Sequence, residues 1–342
     1  MHQTPPLPRT ALGSGEVTVS ALSFGAAGIG NLFAPVDTAQ AAGAVHAAWD
    51  AGVRYFDTAP HYGLGLSEQR LGEALRTRPR HEYTISTKVG RLLQPVTGSG
   101  PGTGDDLANG FAVPATHRRV WDFSAEGVRR SIDASLRRTG LDRIDIVYLH
   151  DPDDHPQQAF HQAYPELERL RAEGVVGAIG VGMNQTAMLT RFVQETDVDV
   201  VLCAGRYTLL DQSALTDLLP EAAARGKSVV VGGVFNSGLL ADPRPGARYD
   251  YATAPAHLLE RALRLKAVAA RHGVPLRAAA LRFPFGSPAV ASVLVGTRCA
   301  AEVRDAAAML AHPVPDDMWA EMRAERLLPA EVPVPKEPRP CA

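Results

Sequence analysis

Eight short apolar runs recur along the chain, and each is followed by a polar turn and an amphipathic segment. Most of the runs are continuous rather than alternating, which is typical of strands that are buried on both faces of a parallel sheet. The runs cover residues 22–26, 55–59, 83–89, 144–150, 178–182, 198–204, 228–234 and 291–296. This repetition restricts the chain to folds in which strands and helices alternate many times.

The segments between the runs have the periodicity of helices. Val128, Ile132 and Leu136 recur every fourth residue, and apolar residues within 160–167 and 215–222 follow a similar spacing. Eight strand–helix repeats in a chain of 342 residues are what a (β/α)8 barrel requires. We therefore predict an α/β fold of the TIM barrel type.

A doubly wound open sheet is the competing architecture, and its usual mark is a glycine-rich turn between the first strand and a helix. Here Gly25, Gly28 and Gly30 follow the first run in the order G-x-x-G-x-G. The next helix is predicted to begin only near Asp37, so no helix end directly follows the strand. We interpret residues 25–30 as a flexible barrel loop.

Four segments depart from the repeat. Residues 10–20 have a Gly-Ser-Gly centre and predict a β-hairpin ahead of the barrel. Residues 91–122 and 235–255 are predicted to be long loops at the C-terminal face, where lids and substrate loops usually lie. Residues 327–342 form a proline-rich tail that is expected to pack little.

No linker divides the sequence, so we predict one barrel domain over residues 1–342, with its core at about 12–310. The formal net charge of −2 gives no electrostatic argument for nucleic acid or an anionic membrane as partner. No run approaches a membrane span, and residues 1–10 lack the apolar stretch of a signal peptide.

The chain has three widely spaced cysteines, Cys203, Cys299 and Cys341. Their spacing excludes a C-x-x-C site, and their small, odd number argues against a disulfide framework. We therefore expect a reducing, cytoplasmic location. The sequence gives no indication of the oligomeric state.

Polar residues stand where three consecutive predicted strands end. Asp57 and Tyr62 follow the second run, Lys88 ends the third, and His150 ends the fourth. Active sites of such barrels lie at the carboxyl ends of the strands. Singly, a lysine there is usually a solvated charge and a histidine a structural one, but the four together are far more specific.

These residue types form a consistent acid/base system without a metal. A free tyrosine hydroxyl has a pKa of about 10, so it exchanges protons poorly near neutral pH. The ammonium group of Lys88 would favour the Tyr62 phenolate, and Asp57 would keep Lys88 charged. Neutral His150 would orient the reacting oxygen. The predicted chemistry is proton transfer coupled to hydride transfer.

With these residues in this order, the sequence resembles the aldo-keto reductase superfamily. The resemblance is carried by YFDTA at 55–59 with Tyr62-Gly63, by Ser67-Glu68 and Leu71-Gly72, by STK at 86–88, and by DIVYLH at 145–150. It extends from about residue 12 to 310. It implies a (β/α)8 barrel, a bound nicotinamide cofactor, and a catalytic tetrad of Asp57, Tyr62, Lys88 and His150.

The resemblance also implies cofactor contacts. Asn184 would bind the carboxamide in place of a Ser-Asn pair, and Tyr207 would stack on the nicotinamide, with capping of the core as its alternative role. Residues 234–240 resemble a pyrophosphate-binding loop, and 296–298 with the next helix resemble the adenosine end. The residues concerned are Asn236, Ser237, Gly238, Leu240, Gly296, Thr297, Arg298, Glu302 and Asp305.

The identity of the nicotinamide cofactor stays open. Arg298 could bind the 2′-phosphate of NADP, whereas the carboxylate of Glu302 would repel it. NAD and NADP are therefore both expected as NAD(P)(H) candidates.

A narrower branch is indicated by HDPD at 150–153, GVGMN at 180–184 and GRYTLLDQ at 205–212. These segments are similar to the D-threo-aldose 1-dehydrogenase (L-fucose dehydrogenase) group, which also includes pyridoxal 4-dehydrogenases. The resemblance implies oxidation of an aldose such as L-fucose or D-arabinose at C1 to the lactone, with Tyr62 as general acid/base.

A sugar needs many hydrogen-bond partners, because each unmatched buried hydroxyl is costly. Candidates near the predicted rim are His61, Asp151, Asn236 and Ser237. The aromatic rings of Phe33 and Trp121 could stack on a sugar face. An apolar carbonyl substrate would instead use Trp121, Phe33 and Phe123 as a wall.

Two other functions remain open. An NADPH-dependent reductase of aldehydes or ketones, or a pyridoxal dehydrogenase, would use the same residues. A cofactor-binding regulatory subunit with little turnover belongs to another class, and the complete tetrad argues against it. A short-chain dehydrogenase would need Tyr-x-x-x-Lys near mid-chain, which does not occur.

Overall fold

A computed structural model of the chain describes residues 7–96, 104–250 and 252–336. Its strands are β1 (Arg9–Ala11), β2 (Thr18–Ser20), β3 (Leu22–Gly25), β4 (Tyr55–Asp57), β5 (Thr84–Val89), β6 (Arg91–Pro95), β7 (Asp105–Asp106), β8 (Phe111–Pro114), β9 (His117–Trp121), β10 (Ile146–His150), β11 (Ala178–Met183), β12 (Val200–Ala204), β13 (Ser228–Gly232), β14 (Arg248–Tyr249), β15 (Ala252–Thr253) and β16 (Val290–Gly296).

The helices follow the barrel strands. They are α1 (Thr38–Asp50), α2 (Leu66–Leu75), α3 (Ala125–Thr139), α4 (Pro156–Gln158), α5 (Tyr164–Ala172), α6 (Thr186–Glu195), α7 (Leu218–Ala224), α8 (Ala256–Arg271), α9 (Leu276–Arg282), α10 (Ala300–Ala311) and α11 (Asp316–Ala324). A π-helical turn at Ala159–Ala163 joins α4 to α5. None of the helices in the described ranges is both long and apolar enough to cross a membrane.

Eight parallel strands close into a barrel in the order β10-β11-β12-β13-β16-β3-β4-β5, which confirms the predicted (β/α)8 fold. Each barrel strand corresponds to one of the eight apolar runs. The runs are continuous because alternate residues face the barrel interior and the surrounding helices. On β10, for example, Tyr148 packs in the interior cluster, whereas Val147 and Leu149 pack in the outer one.

The predicted N-terminal hairpin is present, because β1 pairs with β2 in antiparallel register. Leu12 and Val19 are fully buried and belong to the same apolar cluster as the interior residues Tyr55 and Ile146. The hairpin therefore contributes to the interior core of the barrel as well as preceding it.

Both predicted long loops contain additional strands. The segment after β5 carries two antiparallel pairs, β6 with β9 and β7 with β8. The segment after β13 carries the short pair β14 with β15. Residues 97–103 and 251 of these loops lie outside the described residues.

Two predictions about packing were wrong. Residues Gly28–Gly30 form a buried 3-10 turn rather than a flexible loop, and a Cβ at Gly28 would lie 2.6 Å from the Thr297 carbonyl oxygen. In the tail, Leu327, Leu328 and Val332 are buried in the main core. The proline-rich composition of the tail did not indicate this packing, because a few apolar residues between prolines are enough to anchor a segment in the core. Residues 337–342, including Cys341, lie outside the described residues.

The packed tail gives a stability prediction. Leu328 is 1% exposed, so Leu328→Ala should lower the free energy of unfolding by about 2 to 5 kcal/mol, through lost burial and a residual cavity. Urea denaturation followed by circular dichroism measures the change. The control is Leu263→Ala, because Leu263 is 45% exposed and its truncation should change stability by at most about 0.5 kcal/mol. Equal effects of the two substitutions would contradict the packing described here.

Candidate active site

The structure brings the four predicted acid/base residues together. Asp57 and His150 end β4 and β10, Lys88 lies near the end of β5 between them, and Tyr62 follows β4. The Lys88 Nζ lies 2.6 Å from Asp57 Oδ2 and 4.7 Å from the centre of the Tyr62 ring. The rings of Tyr62 and His150 are 5.9 Å apart and nearly perpendicular. These distances leave the Tyr62 and His150 rings facing a common space.

The Asp57–Lys88 ion pair is buried, with both side chains only 2% exposed. Lys88 also donates to the Thr58 carbonyl oxygen at 3.0 Å. Burial by itself would lower the pKa of Lys88, but the charge and hydrogen bond of Asp57, together with Tyr62, raise it above its ordinary value. Lys88 is therefore a permanent ammonium group beside the tyrosine.

A chain of hydroxyl groups inside the barrel supports Asp57. Ser86 Oγ donates to Asp57 Oδ1 at 2.7 Å, and the hydroxyl of Tyr55 lies 3.0 Å from both Ser86 Oγ and the Tyr148 hydroxyl. Because a carboxylate can only accept, the bonds run from Tyr148 through Tyr55 and Ser86 to Asp57. Burial raises the pKa of both tyrosines above the usual range, so they remain donors.

Sequence reasoning missed this chain, although a signal was present. Neighbouring residues of a strand point to opposite faces, and the neighbours of Tyr55 and Tyr148 point outward. Both tyrosines therefore point into the barrel.

Two histidines at the site are held neutral. Burial, followed by the charges of Arg91 and Lys88, lowers the pKa of His150 well below 6.5. Burial, followed by Arg91 and Arg119, lowers the pKa of His61 to about 2. A neutral imidazole can donate one hydrogen bond without adding a charge to the site.

The tetrad opens into a cavity of about 770 Å³, which is a typical size for a small-molecule site. Seven predicted site residues line it: Phe33, His61, Tyr62, Lys88, His150, Asp151 and Asn184. The inserted segment after β5 contributes Arg91, Leu107, Asn109 and Phe111, which sequence reasoning did not select. Arg248, from the segment after β13, lines the same cavity and stacks on Phe33 at 4.9 Å.

Arg91 organises one wall of this cavity. It forms an ion pair with Asp151, and its guanidinium lies 4.4 Å from the ring centre of Trp121. Trp121 itself does not line the cavity and is 43% exposed, with its ring stacked on Phe123. The structure therefore does not support the predicted stacking of Trp121 on a substrate. The Trp121 ring packs instead against the guanidinium of Arg91.

Tyr207 also lies elsewhere than predicted. It is 0% exposed, packs against Phe283 at 5.1 Å, and does not line the cavity. The chain turns after β12, so this side chain enters the layer between the barrel and its helices. This position does not support the predicted stacking of Tyr207 on a nicotinamide, and it fits the alternative role of capping the core.

The predicted pyrophosphate loop is a tight turn. Asn236, Ser237 and Gly238 all have positive φ values, of 46°, 56° and 100°. Asn236 Nδ2 donates to the Gly205 carbonyl oxygen at 3.3 Å, while its buried Oδ1 has no partner among the described residues. Leu240 is buried in the core and its amide already donates to Phe235, so its predicted cofactor contact is not supported.

The predicted adenosine end is partly occupied by ion pairs. Arg298 is half-exposed and bound by Glu302, whose carboxylate lies 2.7 Å from both the Arg298 side chain and its amide. Asp305 instead accepts two hydrogen bonds from Arg277, each 2.8 Å long. Glu302 therefore neutralises Arg298, and Asp305 is committed to a structural pair.

The groove beside the tetrad fits a flat cofactor ring. Three neighbouring strands carry small residues at their carboxyl ends: Gly182 is the last but one residue of β11, and Ala204 and Gly232 end β12 and β13. A Cβ at Gly232 would project to within 3.5 Å of Leu202 and 3.7 Å of Ala204, two residues that line the cavity. Thr297, at the predicted adenosine end, has a buried Oγ1 without a partner among the described residues. These features leave space and polar atoms for a dinucleotide.

No group of three or more His, Cys, Asp or Glu side chains in residues 7–96, 104–250 and 252–336 is arranged to hold a metal ion.

Comparisons with known proteins identify the family and agree with the fold. A sequence profile described as the Aldo/keto reductase family matches residues 21–326. The chain is 48% identical over 322 residues to a D-threo-aldose 1-dehydrogenase from Pseudomonas sp, covering 93% of this chain and 98% of that protein. It is 40% identical over 343 residues to a pyridoxal 4-dehydrogenase from Microbacterium luteolum, covering 94% and 98%.

Solved structures share the barrel. An aldo-keto reductase from Bacillus halodurans in its holo form superposes with a TM-score of 0.73 at 24% identity, over 95% of this chain and 98% of that chain. At this identity the likeness concerns the fold alone. The family itself is shown by the profile and by the sequence identities. The chain therefore belongs to the aldo/keto reductase family, whose members are oxidoreductases that use NAD(P)H.

Proposed function

We propose that this oxidoreductase oxidises an aldose, such as L-fucose or D-arabinose, at C1 to the lactone with NAD(P)⁺. The observation that carries the proposal is the tetrad at the floor of a polar cavity, in a chain that is 48% identical to a D-threo-aldose 1-dehydrogenase. The barrel positions the residues of the proposed chemistry, and the inserted segments contribute part of the cavity lining.

In the proposed reaction, Tyr62 accepts the proton of the anomeric hydroxyl while the C1–H bond breaks. When bound, NAD(P)⁺ supplies the hydride acceptor. The ammonium group of Lys88 stabilises the phenolate form of Tyr62, and Asp57 holds that ammonium in place at 2.6 Å. Neutral His150 donates a hydrogen bond that orients the reacting oxygen.

The cavity offers polar partners for a polyol. Arg91, Asp151 and Asn184 line it together with two histidines. A charged guanidinium and a carboxylate bind hydroxyl groups as donor and acceptor, which lowers the cost of burying them. We assign cofactor binding to Asn184, to the turn at Asn236, Ser237 and Gly238, and to Gly296, Thr297 and Arg298.

A second candidate function is reduction of aldehydes or ketones with NADPH, or oxidation of pyridoxal. The 40% identity to a pyridoxal 4-dehydrogenase favours it, as do the apolar side chains of Phe33, Leu107 and Phe111 at the cavity. A regulatory subunit without turnover is disfavoured, because the tetrad is fully assembled.

We expect activity with L-fucose or D-arabinose plus NAD⁺ or NADP⁺ to exceed activity with simple aldehydes plus NADPH. Steady-state absorbance at 340 nm measures the reaction in both directions. Efficient reduction of aldehydes without sugar oxidation would select the second function.

Tyr62→Phe should reduce kcat by at least about 100-fold, because it removes the proton acceptor, while the cofactor affinity measured by fluorescence titration stays unchanged. Full turnover in Tyr62→Phe would reject the acid/base assignment.

The neutral state of His61 predicts that the protein becomes less stable as the pH falls below about 6.5. Unfolding returns His61 from a pKa of about 2 to about 6.5, so below pH 6.5 the unfolded chain binds the extra proton. The free energy of unfolding should therefore fall with falling pH, by up to about 1.4 kcal/mol per pH unit for this group. Urea denaturation at pH 7, 6 and 5 should give a shallower decline for His61→Gln than for the wild type. Parallel declines would contradict the neutral state of His61.

Arg298 gives a prediction for cofactor choice. Arg298→Ala should weaken NADP⁺ binding more than NAD⁺ binding, because only NADP⁺ carries a phosphate for the guanidinium to meet. Glu302→Gln should have the opposite effect, since it removes the carboxylate that neutralises Arg298. Isothermal titration measures both affinities, and the matched control is Arg304→Ala, because Arg304 is exposed and lies on α10 with Glu302. Equal losses for both cofactors in Arg298→Ala would remove this assignment.

A further inference from the structure

Three rings surround the space where the reacting oxygen is proposed to lie. The ring centres of Tyr62 and His150 are 5.9 Å apart, those of His61 and His150 are 5.8 Å apart, and those of His61 and Tyr62 are 6.1 Å apart. All three side chains line the cavity. An oxygen held by Tyr62 and His150 therefore places the neighbouring substrate atoms beside His61.

His61 is held on its other side by Arg119. The Arg119 Nε donates to His61 Nδ1, and its terminal nitrogen donates to the His61 carbonyl oxygen at 3.0 Å. A guanidinium has no acceptor, so the Nδ1 that it meets must be unprotonated. The neutral ring therefore carries its hydrogen on Nε2. Arg119 thus fixes both the orientation and the tautomer of the imidazole.

Arg119 is itself fixed by the inserted segment. It forms a two-pronged ion pair with Asp106, which is buried and also accepts a hydrogen bond from Asn109 at 2.7 Å. Phe111, from the same segment, packs its ring edge-on to His61 at 5.2 Å. Neighbours on the insertion therefore restrict the His61 ring to one position.

We propose that His61 is a second hydrogen-bond donor to the substrate, with Arg119 as its positioning residue, and that this donor selects substrates carrying an oxygen on the carbon next to the reacting carbon. The proposal rests on the proposed function in one respect, namely that the reacting oxygen lies between Tyr62 and His150. Cyclic aldoses and 2-hydroxyaldehydes meet the requirement, whereas simple aldehydes and 2-deoxy sugars do not.

The test compares substrate pairs that differ by that one oxygen. The oxidative pair is D-arabinose and 2-deoxy-D-erythro-pentose, and the reductive pair is lactaldehyde and propanal. In the wild type, kcat/KM should favour the oxygenated member of each pair by at least about tenfold, because a buried donor without a partner is costly. A wild-type ratio near one would overturn the proposal.

Two variants of His61 separate a donor role from a structural one. His61→Gln keeps a nitrogen donor near the position of Nε2, so the ratio should remain within about threefold of the wild type. His61→Asn keeps an acceptor for Arg119, but its shorter side chain leaves no donor at the position of Nε2, so the ratio should fall toward one, mainly through a loss of kcat/KM for the oxygenated member of each pair. A preserved ratio in His61→Asn, or an equal loss in both variants, contradicts the proposal.

The positioning role of Arg119 has a spectroscopic test. In ¹⁵N-histidine-labelled protein, the His61 signals should report a protonated Nε2 and an unprotonated Nδ1. Arg119→Met combined with Asp106→Asn removes the buried ion pair as a unit, and should introduce the Nδ1–H tautomer together with a lower substrate ratio. Arg119→Gln combined with Asp106→Asn serves if the first double variant is unstable, because the amide oxygen of Gln can accept a hydrogen bond from Nδ1–H. A wild-type Nδ1–H signal, or an unchanged tautomer and ratio in the variant, would refute this role.

The reductive pair keeps this test independent of the proposed function. If no aldose is oxidised, the proposed function fails, and the ratio for lactaldehyde and propanal still decides whether His61 acts as the donor.

Discussion

The buried pair of Lys88 and Asp57 is the interaction on which the proposed chemistry depends. A lone ammonium group at this depth would lose its proton or draw in water, and a lone carboxylate would meet the same cost. Strands β4 and β5 pair in register, so the two groups meet at 2.6 Å without distortion of the barrel. The Ser86 hydroxyl donates to the second oxygen of Asp57, and the pair is therefore complete before any substrate arrives.

The same balance extends around the cavity. Three cations near the tetrad each have a carboxylate partner: Lys88 has Asp57, Arg91 has Asp151, and Arg119, which holds His61, has Asp106. These cations disfavour a further positive charge, which is one reason why both histidines stay neutral. A site that is rich in charges but locally balanced can bind uncharged polyols through directional hydrogen bonds rather than through net attraction.

The sequence was sufficient for the barrel and for the meeting of Asp57, Tyr62, Lys88 and His150 at one end of it, because both depend on short-range patterns. Buried runs marked the strands, and strand ends marked the catalytic side. Tyr207 could not be assigned, because the path of the chain after β12 decides whether its ring faces the cavity or the core. Arg119 and His61 are separated by 58 residues, and no local pattern pairs them. The tail around Leu328 was missed because composition does not report which residues find a place in the core.

The barrel and the inserted segment between β5 and α3 supply different groups of the site. The groups that we propose to exchange protons stand on barrel strands, or follow one, whereas Arg91, Arg119 and Phe111 belong to the insertion. The strands of the insertion form sheets of their own, separate from the barrel, so its sequence can change without altering the register of the barrel strands. Substrate preference in such a chain can therefore diverge by remodelling one surface segment, while the hydride-transfer machinery beneath it is inherited unchanged.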